Sequence, residues 1–95
     1  MKRRTLAVRS TNSFAAVEAL LLALLTATER HEPTATASIA FFAAMRSQGR
    51  DAAKVGGTEA LDYLLMRVCD DDPSKADVRE VVLDLAWDGL PGWRP

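Results

Sequence analysis

The chain is poor in the two residues that most often carry metal and redox chemistry, with one cysteine, Cys69, and one histidine, His31, among 95 residues. A single cysteine cannot form an internal disulfide, and secreted domains of this size often depend on several. We therefore expect a cytoplasmic protein. A lone histidine lacks the second histidine of a zinc-binding helix, so we expect no metal and no other cofactor, and His31 is better explained as a cation at a helix end.

Motifs for catalysis are also missing. The sequence has no G-x-S-x-G elbow, phosphate-binding loop or paired-cysteine motif, and Gly56 with Gly57 is too sparse to hold a nucleotide. Cys69 is followed by three aspartates, whose negative field disfavours the thiolate that a nucleophile needs. The sequence predicts a protein that is not an enzyme.

Apolar runs are too short for a membrane span. The longest, residues 14–28, has fifteen residues and includes Glu18, whereas a span takes about 20 apolar residues. A basic segment before an apolar run is also typical of a signal peptide, but Glu18 and the length of the basic segment argue against one. We expect a buried helix and no membrane association.

The small net charge, −1, conceals an uneven distribution. Residues 1–54 carry eight basic and four acidic side chains, whereas residues 55–95 carry four basic and nine acidic ones. The total disfavours a strongly basic nucleic-acid-binding domain. The asymmetry instead indicates where on the chain binding would occur.

Sixteen alanines and twelve leucines, with few β-branched residues, predict an all-α fold in one compact domain. Turn signals divide it into four main helices, over residues 13–30, 35–48, 59–69 and 73–88. Pro33 ends the first helix and Gly49 the second, and the pair Gly56 and Gly57 interrupts the helical pattern before the third. Thr58 caps the third, while Pro73 opens the fourth and Gly89 closes it.

The predicted domain spans residues 13–95 and includes a short C-terminal tail with Trp93. Residues 1–12 form a basic arm that we expect to be flexible. It is either a frayed end of the chain or a segment that binds phosphates or an acidic surface weakly and in a salt-sensitive way. Its cations are Lys2, Arg3, Arg4 and Arg9.

The first two predicted helices are apolar almost all round. The first has a bulky face opposite an alanine face, which predicts neighbours on both sides. We expect these two helices to form the centre, covered by two amphipathic helices with acidic faces, or to leave apolar surface for a homodimer. The residues nominated for self-association are Leu22, Phe41 and Met45.

The third and fourth predicted helices are amphipathic. Their apolar positions, at helical spacing, predict the faces that cover the core: Leu61, Leu64, Leu65 and Val68, then Val78, Val81, Val82 and Leu85. Their polar sides carry a set of carboxylates that we call the acidic ridge: Glu59, Asp62, Asp70, Asp77, Glu80, Asp84 and Asp88. The ridge is either a solvated face or a docking surface for a basic partner, including a mimic of a phosphate backbone.

Two further features leave alternatives open. Trp93 either packs near Trp87 or stands out as an aromatic anchor for a partner. Ala52 and Gly56 have the spacing of a helix-turn-helix, but the next helix carries Asp62 where an apolar residue is needed. A DNA-binding regulator is therefore an alternative, and nucleic acid is a disfavoured partner.

These observations favour a small protein-binding module that acts without chemistry. We expect an inhibitor or adaptor that docks on a larger protein through the acidic ridge and apolar surface, with a homodimeric assembly protein as another alternative. Nine arginines against three lysines, with abundant alanine, are typical of a GC-rich bacterial or phage genome. A phage- or plasmid-borne inhibitor would fit that composition.

Overall fold

The computed structural model describes the backbone of residues 2–30 and 35–94, and the side chains of residues 14–29 and 37–94. Its regular elements are α1 (Lys2–Arg30), α2 (Ala35–Asp71), a 3₁₀ turn (Pro73–Lys75) and α3 (Ala76–Trp87). The all-α prediction is confirmed, with no strand in these ranges. Three helices are counted there instead of four, because the predicted second and third helices are merged in α2.

Helix α1 begins at Lys2 instead of near residue 13, so the backbone of the predicted basic arm is helical. The side chains of the arm lie outside the described side chains, and its flexibility and charge contacts stay predictions. His31 and Pro33, the predicted end of this helix, also lie outside the described residues. Across the described ranges, no helix combines the length and apolarity needed to cross a membrane.

Helix α2 has one break, at Gly57, where φ is 62° and ψ is −150°. This backbone conformation is open almost only to glycine, so the predicted interruption at the glycine pair is present. The predicted end at Gly49 is wrong, because α2 continues through it as regular helix. Gly49 lacks a side chain for another reason: a Cβ there would lie 2.3 Å from Nε1 of Trp87.

Helix α2 is the central element, and it packs against both α1 and α3. The largest fully buried side chains come from all three helices: Leu21, Leu25, Met45, Leu61, Leu64, Val68, Leu83 and Trp87. The expectation of a central first helix is wrong. Ala16, Ala19 and Ala23 on its alanine face are exposed, since α1 has only α2 as a major neighbour.

Helix α3 packs through a face that its apolar spacing does not predict. Its buried residues are Arg79, Leu83, Ala86 and Trp87. The predicted core residues Val78, Val81 and Leu85 are 58%, 58% and 64% exposed, and Val82 is half-buried. At about 100° per residue, the helix is turned by roughly a third of a revolution from the expected orientation.

Trp87 and Arg79 explain that orientation. The Trp87 ring fills the space left by Gly49, and its Nε1 donates to the Met45 carbonyl over 2.9 Å. Arg79, 3% exposed, lies two turns earlier on the same face of α3. These two side chains fix α3 on α2 more specifically than a stripe of valines would.

Arg79 joins all three helices. Its Nε and Nη2 donate to the Glu29 carboxylate of α1 over 2.9 and 3.1 Å, in a bidentate pair. Its Nη1 donates to the Val68 carbonyl over 2.8 Å and to Asp71 over 3.1 Å, at the C-terminal end of α2. The hydrogen bonds that Arg79 donates to Glu29 raise the pKa of Arg79 despite its burial, so the guanidinium stays charged.

The C-terminal tail folds back on the end of α3, around Trp87. The Leu90 amide donates to the Trp87 carbonyl, and the Trp93 amide donates to the Leu90 carbonyl, each over 3.0 Å. Trp93 is 4% exposed and meets Trp87 edge to face, with ring centroids 5.0 Å apart. The anchor interpretation of Trp93 is therefore wrong. The Thr58 hydroxyl donates to the Gly92 carbonyl, so it holds the tail.

We predict that Gly49→Ala destabilises the fold by about 1–3 kcal/mol, because the new methyl group would overlap the Trp87 ring. Helix propensity alone would give the opposite result, because it favours alanine over glycine by about 1 kcal/mol. Urea unfolding followed by far-UV circular dichroism measures it. Ser47→Ala, at an exposed position of the same helix, is the control and should be neutral or mildly stabilising. Equal stability of Gly49→Ala and the wild type would contradict the packing described.

We predict that Arg79→Ala costs about 3–5 kcal/mol of unfolding free energy, because it leaves the Glu29 carboxylate without its buried partner. Arg94→Ala is the matched control. Arg94 pairs with two partly exposed carboxylates, and its Cζ lies 4.8 Å from the centroid of the Trp93 ring, so its loss should cost about 1 kcal/mol. Thermal and urea unfolding of both variants decide the comparison, and similar costs would show that Arg79 is not the junction of the three helices.

Candidate protein-interaction surfaces

The acidic ridge has its members on the C-terminal part of α2 and on α3, two segments that pack against each other. Its middle surrounds Arg94, whose Nη1 donates to Glu80 over 3.1 Å and to Asp84 over 2.9 Å. The hydrogen bond to Glu80 raises the pKa of Arg94 most, and the charges of Asp84 and Asp62 add to it. The structure therefore brings Asp62, Glu80 and Asp84 together around one cation.

The same packing places Cys69 between carboxylates at one end of the ridge. Its Sγ donates to the Ala76 carbonyl over 3.6 Å. Burial raises the pKa of the Cys69 thiol most, and the charges of Glu80, Asp70 and Asp77 raise it further against the opposing effect of Arg79. The direction agrees with a thiol that is a poor nucleophile, although burial contributes more than the acidic field.

Glu59 and Asp88, the remaining members of the ridge, are exposed, away from Asp70 and Asp77. The two neighbouring aspartates have structural contacts instead. Asp71 pairs with Arg79, and Asp72 accepts from the Ser74 amide over 3.1 Å to begin the 3₁₀ turn. The hydroxyl of Ser74 also donates to Asp72 and lowers the pKa of that carboxyl. Among the described side chains, Arg94 is the cation that forms ion pairs with members of the ridge.

Beside the ridge, α3 exposes an apolar stripe that we define as Val78, Val81 and Leu85. Their spacing of three and four residues puts them on one face over two turns of helix. The buried face, the apolar stripe and the acidic face each take about a third of the circumference of α3. The spacing of apolar residues predicted that this stripe faces the core. The buried face of α3 instead includes the charged Arg79, which apolar spacing does not detect.

The residues nominated for self-association are not grouped on an open surface. Met45 is 1% exposed and belongs to the core, so its nomination is wrong: its position on α2 faces α3. Leu22 and Phe41 are half-buried and pack against the same core. Ile39, which was not nominated, is 70% exposed.

A set of cations on α2 was missed by the sequence analysis. Arg46, Arg50 and Lys54, which we call the basic strip, recur every four residues and so share one helix face. Arg46 donates through Nη1 to the Ala86 carbonyl over 3.2 Å and to the Asp88 carbonyl, at the C-terminal end of α3. The four-residue spacing was visible, but the prediction that helix two ends at Gly49 separated its members.

The described side chains offer little for other kinds of site. They contain no group of three or more histidine, cysteine or acidic residues arranged to hold a metal. Arg67, the one cation on the helix after the Gly57 break, pairs with Glu18 of α1 over 3.0 Å. Comparison of the chain with protein-family models, curated proteins and solved structures gives no match.

We predict that Cys69 is alkylated by iodoacetamide more slowly at neutral pH than a free cysteine, because its raised pKa leaves a smaller thiolate fraction. The rate should climb with pH and reach its half-maximal value at a higher pH than that of a model thiol. Mass spectrometry of quenched samples gives the profile, and the chain unfolded in urea is the control. A folded chain that reacts as fast as the unfolded one at neutral pH would contradict the prediction.

Proposed function

We propose that this chain is a small non-enzymatic protein-binding module, an inhibitor or adaptor that docks on a larger protein through the apolar stripe and the acidic ridge. The observation that carries the proposal is the exposure of Val78, Val81 and Leu85 on one face of a helix that is anchored through another face. Single exposed apolar side chains are ordinary on a protein surface. A row of them on one rigid helix is typical of a docking face.

The stripe is suited to supply the centre of an interface. Burying three side chains that are each more than half exposed is worth on the order of 3–5 kcal/mol. Little of that is lost to ordering, because Arg79 and Trp87 already hold α3 in place. A partner with an apolar groove would gain most of its affinity here.

The acidic ridge is suited to the rim of the same interface. Its carboxylates lie beside the stripe on α3, where they would favour a partner whose apolar groove is bordered by lysine or arginine. Such charges raise the association rate and select the partner more than they add to affinity. Arg94, bound to Glu80 and Asp84, would compete with the partner's cations at the middle of the ridge.

We predict that the immobilised Val78→Gln/Val81→Gln variant captures at least about tenfold less partner protein from a lysate of the source organism than the immobilised wild-type chain does. Val55→Gln/Met66→Gln is the matched control, since it changes two exposed apolar residues of α2 and should keep the capture. Quantitative mass spectrometry compares the three, and far-UV circular dichroism verifies that each is folded.

Two results would overturn the proposal. One is a capture profile of the stripe variant identical to that of the wild type. The other is a wild-type dimer, measured by light scattering, that becomes a monomer in the stripe variant while no foreign protein is captured. In that case a second copy covers the stripe.

A further inference from the structure

A groove of different chemistry lies between the first half of α2 and the end of α3. It consists of two cavities of about 410 and 390 Å³ that meet at Arg46. The first is lined by Phe42, Ala43, Leu85 and Ala86. The second is lined by Arg50, Ala53, Lys54, Gly89, Leu90 and Pro91. The groove therefore runs from an almost entirely apolar end to an end with an apolar floor and basic edges.

The basic strip forms one wall of this groove. Four residues of helix advance about 6 Å, so its three cations extend over about 12 Å. Arg50 and Lys54 are exposed, and neither has an ion pair among the described side chains. Arg46 uses Nη1 on the carbonyls at the end of α3 and holds that wall in position. The two outer cations are thus free to pair with a ligand.

We propose that this groove binds an acidic amphipathic helix of a partner protein. The helix would place apolar side chains against Phe42, Ala53 and Leu90, and carboxylates at four-residue spacing against Arg50 and Lys54. A carboxylate every fourth residue matches the repeat of the basic strip. The proposal rests on the proposed function of binding protein, but it assigns a second surface that adjoins the apolar stripe only at Leu85.

The apolar floor favours a peptide over nucleic acid. A phosphate backbone is bound by cations and hydrogen-bond donors, and it gains nothing from the apolar side chains that line most of the groove. Helix-in-groove recognition uses both parts, with apolar anchors at helical spacing inside and charges at the edge. The negative ridge elsewhere on this small domain would also repel a long polyanion.

The test uses the full chain and a fluorescein-labelled helical peptide of about 18 residues, with leucine at i, i+3, i+7 and i+10 and glutamate at the flanking positions. A second peptide has lysine in place of every glutamate. We expect the acidic peptide to bind in fluorescence anisotropy titrations and the lysine peptide to bind at least about tenfold more weakly. Amide chemical shifts of Ala53 and Leu90 should change on binding.

Arg50→Gln/Lys54→Gln should weaken binding of the acidic peptide about tenfold, since it removes two charge pairs. Arg67→Gln/Lys75→Gln is the matched control: it removes the same charge elsewhere and should change binding less than about twofold. Binding should also weaken as salt rises.

Three results would overturn the assignment: no binding of the acidic peptide, equal binding by the Arg50→Gln/Lys54→Gln variant, or tighter binding of a duplex oligonucleotide that the same variant loses. None of these would affect capture through Val78 and Val81. The proposed function is tested separately by the capture experiment, so failure of the groove assignment can be distinguished from failure of the proposed function.

Discussion

The ion pair between Arg79 and Glu29 is the interaction on which the arrangement of the three helices depends. It is the junction at which a side chain of α3 meets a carboxylate of α1 and the Val68 carbonyl near the end of α2. A buried charge of this kind adds little net stability compared with an apolar core, but it is costly to leave unpaired. The ion pair instead contributes specificity. Only one rotation of α3 about its axis brings Arg79 to both Glu29 and Val68, and that rotation exposes Val78 and Val81.

A second arginine repeats this device at the other end of α3. Arg46 reaches across from α2 to the carbonyls of Ala86 and Asp88, as Arg79 reaches from α3 to the end of α2. Helix ends leave carbonyls without intrahelical partners, and a cation there also interacts favourably with the helix dipole. The two arginines tie α2 and α3 together reciprocally, so the grooves and faces between them have a defined shape.

Much of this fold could be predicted from local signals, and the remainder could not for identifiable reasons. The break at Gly57 depends on a backbone conformation that one residue determines, and Pro73 likewise begins the 3₁₀ turn, although α3 itself begins at Ala76 and not at Pro73 as predicted. Which face of α3 is buried depends on partners far along the chain. Arg79 is a charged residue that would be expected at the surface, and its burial becomes predictable only when Glu29 is known to lie opposite it. Gly49 likewise has the sequence signal of a helix end, and its actual role is evident only when the Trp87 ring is known to occupy the space beside it. The common face of Glu80 and Asp84 on α3 follows from helical spacing alone, whereas the basic strip was lost with the error at Gly49.

The edge-to-face contact of Trp87 and Trp93 gives the molecule an internal optical reporter. The two indoles are the chain's full complement of tryptophan, and both lie where the tail, α3 and α2 meet. Their intrinsic fluorescence and near-ultraviolet circular dichroism therefore follow the docking of that half of the fold without any label. Among the described side chains, the aromatic contact of α1 joins Phe14 to Tyr63 and not to an indole. The indole signal therefore reports directly on the packing of α3 and the tail, whereas the Tyr63 ring is the aromatic side chain of α2 that reports on the docking of α1.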